Sequence, residues 1–336
     1  TAFSKLILLL LFFCMLFLTI TRVFNDKFKN RFSDSYIMEL KRENVLIEAL
    51  PYMQEFYDSI MVIKVGGNAM VSAQIMEDII KDVVLLRYVG IKPVIVHGGG
   101  PEITEKMERM GKKAEFFQGL RITDDETMEI ARMVLVGNIN TKIVSLIGVC
   151  GGNGIGLTGY DGRMILGHKQ AVKKVVINGI ETEVDIGWVG ECEVINPDIL
   201  HIVLQNGYIP VISPIAVDAK GNALNINADI VAGDIAAALH AKKLILMTDV
   251  SGLLRDVNDP SSHISRVTLD DIDHLIAEGI IQGGMIPKLK GAAVAVKNGV
   301  ERAHIINGSV SHSMLLELFT DCGVGTMVYK FKKPKD

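Results

Sequence analysis

Cysteine is scarce and scattered. Cys14, Cys150, Cys192 and Cys322 form no CxxC pair and no Cys/His group with metal-ligand spacing. Reduced thiols are therefore the expectation, and a disulfide scaffold or zinc fold is excluded. No charge sign dominates: the formal net charge of −4 gives no reason to expect nucleic acid or another polyanion as partner. Proline is modest at 9 residues, and there is neither a low-complexity tract nor a repeat of fixed short period. The pattern GxxxxGK[ST] is missing, so the chain is not a P-loop nucleotide binder.

A hydrophobic run of spanning length is also missing. Residues 6–20 are almost unbroken apolar sequence between Lys5 and Arg22, short of the roughly 20 residues a spanning helix needs. The run resembles a signal-peptide core or a short anchor, yet no small-residue cleavage site follows it. Residues 25–35 are polar and basic, and the first residue is Thr1. Upstream sequence ahead of a natural start at Met38, or a cleaved segment, is preferred to a membrane anchor, because everything after Met38 has soluble character. A cytoplasmic location is the corresponding expectation.

What is present suits a globular α/β chain. Of 336 residues 49% are hydrophobic and 22% charged, enough for one large domain or two smaller ones. The division expected is a hydrophobic and basic segment over 1–37, an interaction helix within 38–58 and the main body over 59–330. Residues 44–57 show helical spacing at Val45, Leu46, Ala49, Leu50 and Met53, with Pro51 expected to kink or break the helix. That helix has no core of its own and must pack on the body or on another subunit.

Residues 60–65 have the length and composition of a buried parallel strand. Lys64 interrupts it near its end, and Gly66 and Gly67 follow at once. Ligands of open α/β sheets gather at the carboxyl ends of strands. Glycines there let backbone N–H groups approach a phosphate, with the lysine charge beside them. An ordinary tight turn with a snorkelling lysine fits this segment equally well.

A helix over 72–89 and a strand over 92–97 follow, running into Gly98, Gly99, Gly100 and Pro101. This second glycine-rich junction opens a helix over 102–110, a favourable place for an anion. His97 is taken as a structural histidine. Arg121 stands between apolar residues just before a long helix to about residue 147, for which Thr123 and Glu126 form a capping box. A guanidinium there could fork onto a substrate carboxylate or make a surface ion pair. Residues 154–159 match GxGxxG literally, but no helix follows, so a dinucleotide site is rejected. Residues 163–166 are expected to return as a hairpin strand. With residues 172–193 and a turn at Asn178 and Gly179, they suggest an antiparallel flap inserted in the α/β body.

Asn225, Asn227 and Asp229 alternate just before and at the start of the apolar helix 230–241. One such residue makes a cap, and three exceed what a cap requires. A strand over 243–247 ends in Thr248, Asp249, Val250, Ser251 and Gly252. Gly283 and Gly284 open a helix that carries Lys288 in its first turns, where a merely solvated lysine is the plainer reading. A strand over 302–306, a helix over 313–319 and a strand over 326–329 close the chain.

The order of these motifs resembles the amino-acid kinase family, and within it the branch acting on N-acetyl-L-glutamate, from about residue 44 to residue 329. The matching segments are Val-Ile-Lys64-Val-Gly-Gly, Val-His-Gly-Gly-Gly100-Pro, Gly-Leu-Arg121, Asn225-Ile-Asn-Ala-Asp229, Thr248-Asp-Val-Ser-Gly and Gly-Gly-Met-Ile-Pro-Lys288. The first is widely shared; the arginine and Asn-x-Asn-Ala-Asp segments are more specific.

The resemblance implies a three-layer α/β/α sandwich with a mainly parallel sheet. Its N-terminal half would bind an acylated amino acid and its C-terminal half ATP. It further implies transfer of the γ-phosphoryl group to the side-chain carboxylate of N-acetyl-L-glutamate, with Mg2+ held mainly by the nucleotide phosphates and no protein metal site. Catalysis would fall to Lys64, Lys288 and Asp229, and substrate binding to Gly99, Gly100, Arg121, Asn225 and Asn227. ATP would lie against Gly66, Gly67, Asp249, Val250, Ser251, Gly252, Leu253, Leu254, Ile280, Ile281 and Gln282.

His304, Glu317 and Gly325, with the N-terminal helix, look like the arginine-inhibited members, which implies an arginine site, a homodimer and a homohexamer. The competing readings are another amino-acid kinase for carbamate or a related acylated amino acid, a non-catalytic arginine sensor, and the kinase half of an acetyltransferase fusion.

Overall fold

The computed structural model describes residues 42–330 apart from 71, 178–179, 257 and 322. The apolar run at 6–20 and the turn at Asn178 and Gly179 lie outside the described residues.

Helix α1 (Arg42–Phe56) continues through Pro51, against the expected break. One lost backbone hydrogen bond is tolerated because Ala49, Tyr52, Met53 and Phe56 pack on the core. Strand β1 (Ile60–Val65) is buried along nearly its whole length. It leads through a short 3-10 turn to α2 (Ala73–Tyr88), capped by the Ser72 side chain. Gly90 stops the chain at φ 93°, and β2 (Lys92–His97) follows. Gly99 then sits at the N-cap of α3 (Gly100–Arg109), with Pro101 in its first turn.

A short hairpin, β3 (Phe116–Phe117) and β4 (Leu120–Arg121), precedes the long helix α4 (Asp125–Val149). The expected capping box is not formed. Asp124 caps α4 by accepting from the Thr127 N–H, while the Thr123 hydroxyl turns back to the Arg121 carbonyl. By length and apolarity α4 alone among the described helices could cross a membrane. Its Met128, Leu135, Ile139 and Ile143 belong to the core.

Next come β5 (Gly154–Leu157) and β6 (Ile165–Lys169). These do not form the expected hairpin. β5 joins the main sheet beside the later strand β10 (Ile209–Ile212), and β6 pairs with β9 (Gly190–Ile195) in a second sheet. The turn between them swings the chain from one layer to another. Strands β7 (Lys173–Ile177) and β8 (Ile180–Val184) form a separate antiparallel ribbon. The second sheet, in the order β12, β11, β6, β9, uses two strands that show no clear alternation, β11 (Ile215–Val217) and β12 (Ala223–Asn225). β11 runs parallel to β6, so the inserted flap is not purely antiparallel.

Helix α5 (Asp198–Gln205) precedes β10, and α6 (Ala228–Ala238) follows β12. The C-terminal half adds β13 (Lys243–Thr248), the pair β14 (Leu253–Leu254) and β15 (His263–Ile264), and β16 (Arg266–Thr268). Helix α7 (Leu269–Ala277) has a complete capping box between Thr268 and Asp271. Helix α8 (Met285–Lys297), β17 (Arg302–Asn307), α9 (Ser313–Phe319) and β18 (Thr326–Tyr329) complete the chain.

The main sheet has eight strands in the order β16, β18, β17, β13, β1, β2, β10, β5. All its pairings are parallel except β17 with β18. Chain order runs away from β1 in both directions, so β1 and β13 flank the point where ligands of such sheets bind. Strand alternation sends Met61, Ile63 and Val65 into the core layer with α2 and α4, and Val62 into the layer with α6 and α8. Lys64 shares Val62's side, which aims it at the start of α6.

Helices α6 and α8 cross at glycines. A Cβ on Gly233 would lie 2.3 Å from the Gly291 carbonyl oxygen, and one on Gly291 would lie 2.2 Å from that of Asp229. Backbone occupies both spaces, so the helices must part to admit a methyl group. Gly233→Ala is expected to cost about 1–3 kcal/mol by overpacking and to lower the melting temperature by several degrees. An unshifted melting curve would show that the crossing is not this tight.

Candidate active site

The centre of the site is Asp229, in the first turn of α6. Lys64 Nζ lies 2.9 Å from its Oδ1 and Lys288 Nζ 3.5 Å from its Oδ2. Lys64 and Asp229 are buried. The Lys64 contact is an ion pair rather than an aligned hydrogen bond, because Asp229 Oδ1 receives none. Lys288 also donates to the Gly284 carbonyl, 3.2 Å away. Two cations 224 residues apart in sequence thus share one carboxylate, brought together by the glycine crossing of α6 and α8.

The Lys64 ammonium group lies over Gly66: a Cβ there would be 2.3 Å from Nζ. Gly67 takes φ 63°, a region glycine enters without strain. Its open side faces Asp249, in the loop after β13, which a Cβ on Gly67 would approach to 3.9 Å. Gly99 is closed from behind, since a Cβ would strike Ile139 and Leu135 of α4 at 2.5 and 2.6 Å. Val65 and His97 are paired neighbours across β1 and β2, so the two glycine turns sit side by side.

Arg121 is buried. Its Nη2 donates to the Gly100 carbonyl at 2.8 Å and the Thr104 hydroxyl at 2.7 Å, and the guanidinium stands 4.7 Å from the Phe116 ring centre. None of these partners is a carboxylate. Burial lowers the Arg121 pKa, yet leaves a guanidinium cation, so the site offers a fixed cation to an incoming anion. Asn225 donates from Nδ2 to the Thr123 hydroxyl at 3.3 Å. Asn227 is the cap of α6, its side-chain oxygen accepting from the N–H groups of Asp229 and Ile230. That bonding accounts for Asn227 without a ligand.

On the other side of the sheet centre, the Asp249 carboxylate accepts from the Thr248 hydroxyl at 3.0 Å, and Asn307 Nδ2 lies 3.4 Å from Ser251 Oγ. Val250 is exposed, whereas Leu253 is buried and the Leu253 N–H donates to Thr326. Gly252, at φ 123°, packs against His263 and Thr326, and Leu254 pairs with His263. Ile281 is in the core. Ile280 and Ile281 both donate N–H groups to the Leu275 carbonyl, and Gln282 Nε2 donates to the Gly279 carbonyl. Leu253 and Ile281 therefore have only backbone to offer a nucleotide.

His304, Glu317 and Gly325 come together away from the lysines. His304 Nδ1 is 2.6 Å from Glu317 Oε1, and Glu317 Oε2 accepts the Val324 N–H at 2.7 Å. Burial works to raise the Glu317 pKa, but the His304 bond, the Val324 N–H and the neighbouring positive charge together hold it low. Burial lowers that of His304. Lys243 Nζ, which drew no notice as the first residue of a strand, lies 3.5 Å from His304 Nε2 and 4.9 Å from the Phe56 ring centre. A cavity of about 730 Å³ beside α4, lined by Arg132, Tyr160 and Trp188 among others, includes none of the candidate site residues.

Residues 59–307 match the sequence profile of the amino acid kinase family. An acetylglutamate kinase of Methanosarcina barkeri is 95% identical over 319 residues, taking in 95% of this chain and 99% of that protein. An acetylglutamate kinase of Methanosarcina mazei is 89% identical over 292 residues, 87% of this chain and all of that protein. Among solved structures, N-acetylglutamate synthase from Neisseria gonorrhoeae superimposes with a TM-score of 0.74 at 21% identity. That match covers 89% of this chain but only 65% of the synthase, and at that identity the likeness concerns the fold alone.

His97 is structural. Its Nδ1–H donates to the Gly98 carbonyl at 2.8 Å, and its Nε2 accepts from Asn140 Nδ2 at 3.2 Å. Burial lowers its pKa to about 4. The folded value lies below the unfolded one near 6.5, so this contribution to stability is complete above that pH and lost as pH falls toward 4. From pH 7 to pH 5 it should amount to about 2 kcal/mol. Urea unfolding at the two pH values should show a loss of that order, reduced in His97→Gln. Equal acid sensitivity in both proteins would exclude a neutral His97.

Proposed function

Because the chain belongs to the amino acid kinase family, we propose that it transfers the γ-phosphoryl group of MgATP to the side-chain carboxylate of N-acetyl-L-glutamate. The product is N-acetyl-L-glutamyl 5-phosphate, and the step is the second of arginine biosynthesis. The observation that carries this reading is the convergence of Lys64 and Lys288 on Asp229 beside two glycine turns. A side-chain carboxylate has a pKa near about 4.3 and is already a nucleophile at neutral pH. No general base is required. The demands are alignment of the attacking oxygen with the leaving group, and positive charge around the moving phosphoryl.

Lys64 and Lys288 supply that charge. Asp229 holds both ammonium groups in place, and a carboxylate fixed before the substrate arrives needs little reorganisation during the reaction. The N–H groups of Gly66, Gly67 and Gly99 serve the transferring phosphoryl. Arg121 takes the substrate α-carboxylate, and Gly100 and Asn225 hold the rest of it. Asp249 to Leu254 and Ile280 to Gln282 flank the nucleotide. Mg2+ arrives as part of the MgATP substrate. The N-terminal half of the body thus serves the acylated amino acid and the C-terminal half the nucleotide, in a cytoplasmic enzyme.

Regulation by arginine is favoured by a separate observation. Helix α1 packs beside α9, and Tyr52 bonds to Asp321, next to the cluster of His304, Glu317 and Gly325. Arginine bound there would sense the position of α1, which joins dimers into a hexamer. The guanidinium would pair with Glu317.

A hydroxamate assay for acyl phosphate should give product with N-acetyl-L-glutamate and little with other acylated amino acids. A preference for a different acyl group would overturn the substrate assignment. Lys288→Ala should lower kcat by about 10²–10³-fold with little change in KM, and near-normal turnover would remove Lys288 from catalysis. Millimolar arginine should inhibit the wild type, and Glu317→Ala should lose that inhibition while retaining turnover. A wild type indifferent to arginine would end the regulatory reading.

A further inference from the structure

Thr123 lies between the two residues given to the acyl substrate, and every polar group it has is used. It is fully buried. Its N–H donates to the Ile186 carbonyl at 3.0 Å, and its carbonyl accepts the Trp188 N–H at 2.6 Å. Its hydroxyl donates to the Arg121 carbonyl at 2.8 Å and accepts from Asn225 Nδ2 at 3.3 Å. The Asn225 N–H in turn donates to the Trp188 carbonyl at 2.8 Å. Gly187 fits the crossing only as glycine, because a Cβ would lie 2.0 Å from the Thr123 carbonyl oxygen. Three chain segments, carrying Arg121, Trp188 and Asn225, are thereby tied at one residue.

We propose that Thr123 is a positioning residue for acceptor-substrate recognition: its hydroxyl couples the backbone at Arg121 to the side-chain amide of Asn225 and fixes which face of that amide meets the substrate. The inference rests on the reading of Arg121 and Asn225 as substrate residues. The hydroxyl has one proton, and the Arg121 carbonyl takes it. Only lone pairs remain to face Asn225, so the amide must turn its NH2 group inward. Its oxygen is left for a donor elsewhere. The chemical group matched by such an oxygen is the N–H of an acylated amine. Thr123 thus favours an acceptor bearing an acylamino N–H and is remote from the nucleotide side.

Thr123→Val keeps the shape and the backbone bonds and deletes the hydroxyl alone. KM for the acylated amino acid should rise about tenfold, the worth of one hydrogen bond lost from a dry site. KM for ATP should change less than about twofold, because Thr123 touches nothing on that side. Thr123→Ser should restore the wild-type KM. In an Asn225→Ala background, Thr123→Val should add less than it does alone, which a role confined to folding would not produce. If the valine variant fails to fold, Thr123→Ser and Thr123→Ala make the same hydroxyl comparison. Arg121→Lys serves as the control for the underlying reading and should itself raise acceptor KM. An effect of Arg121→Lys without one of Thr123→Val would overturn the role of Thr123 alone. No effect of Arg121→Lys would overturn the substrate-site reading beneath it.

Discussion

A single buried carboxylate shared by two ammonium groups is the constraint on which the molecule turns. Burying one charge without a partner is costly, and removing either member of a buried pair leaves that cost exposed. Asp229 meets two cations, from β1 and from α8, at 2.9 and 3.5 Å. The arrangement carries one excess positive charge before any nucleotide binds. That excess suits an anionic ligand.

The fold supplies the distances. Parity along β1 puts Lys64 on the side of α6 and α8, and the contact between Gly233 and Gly291 draws those helices close enough for Lys288 to reach the same carboxylate. The opposite face does a different task. Leu135 and Ile139 of α4 press on Gly99, and Asn140 of the same stretch bonds to His97 and to the Val211 carbonyl. This part of α4, Met133–Asn140, has the wider i→i+5 winding, a geometry that often occurs near functional sites. It braces the second glycine turn from behind.

The site divides along the sheet. Arg121, Thr123 and Asn225 belong to a small network around Trp188 that interlocks the hairpin with the second sheet. The loops after β13 and β17 form the other side, where Asp249, Ser251 and Asn307 meet. Between them the β1 turn carries Lys64 and its glycines. The two sides share no hydrogen bond among those described, and the lysine pair lies between them.

Much of this was legible in the order of residues. β1, β2, α9 and β18 fall on the expected boundaries, because continuous apolar runs bounded by glycine or polar residues leave little choice. Lys64 and Lys288 each fitted an ordinary surface lysine when read alone, and it was the order of the motifs, with three polar residues where a cap needs one, that grouped them with Asp229. Other expectations failed for identifiable reasons. Thr123 looked like a helix cap because its spacing to Glu126 fitted, but Asp124 caps the helix one residue later through the Thr127 N–H, and the Thr123 hydroxyl is taken by the Arg121 carbonyl. The return strand after residue 159 was placed in a hairpin, whereas the chain changes sheets there, and local sequence carries no record of which sheet a strand joins. Strands β11 and β12 are too short to show alternation. The sequence by itself determined the succession of strands and helices and the chemical types at their junctions, since both depend on neighbours within a few residues. Tertiary structure alone decided that two lysines share one carboxylate and that Thr123 joins Arg121 to Asn225. Those contacts span tens to hundreds of residues and exist only once the layers have packed.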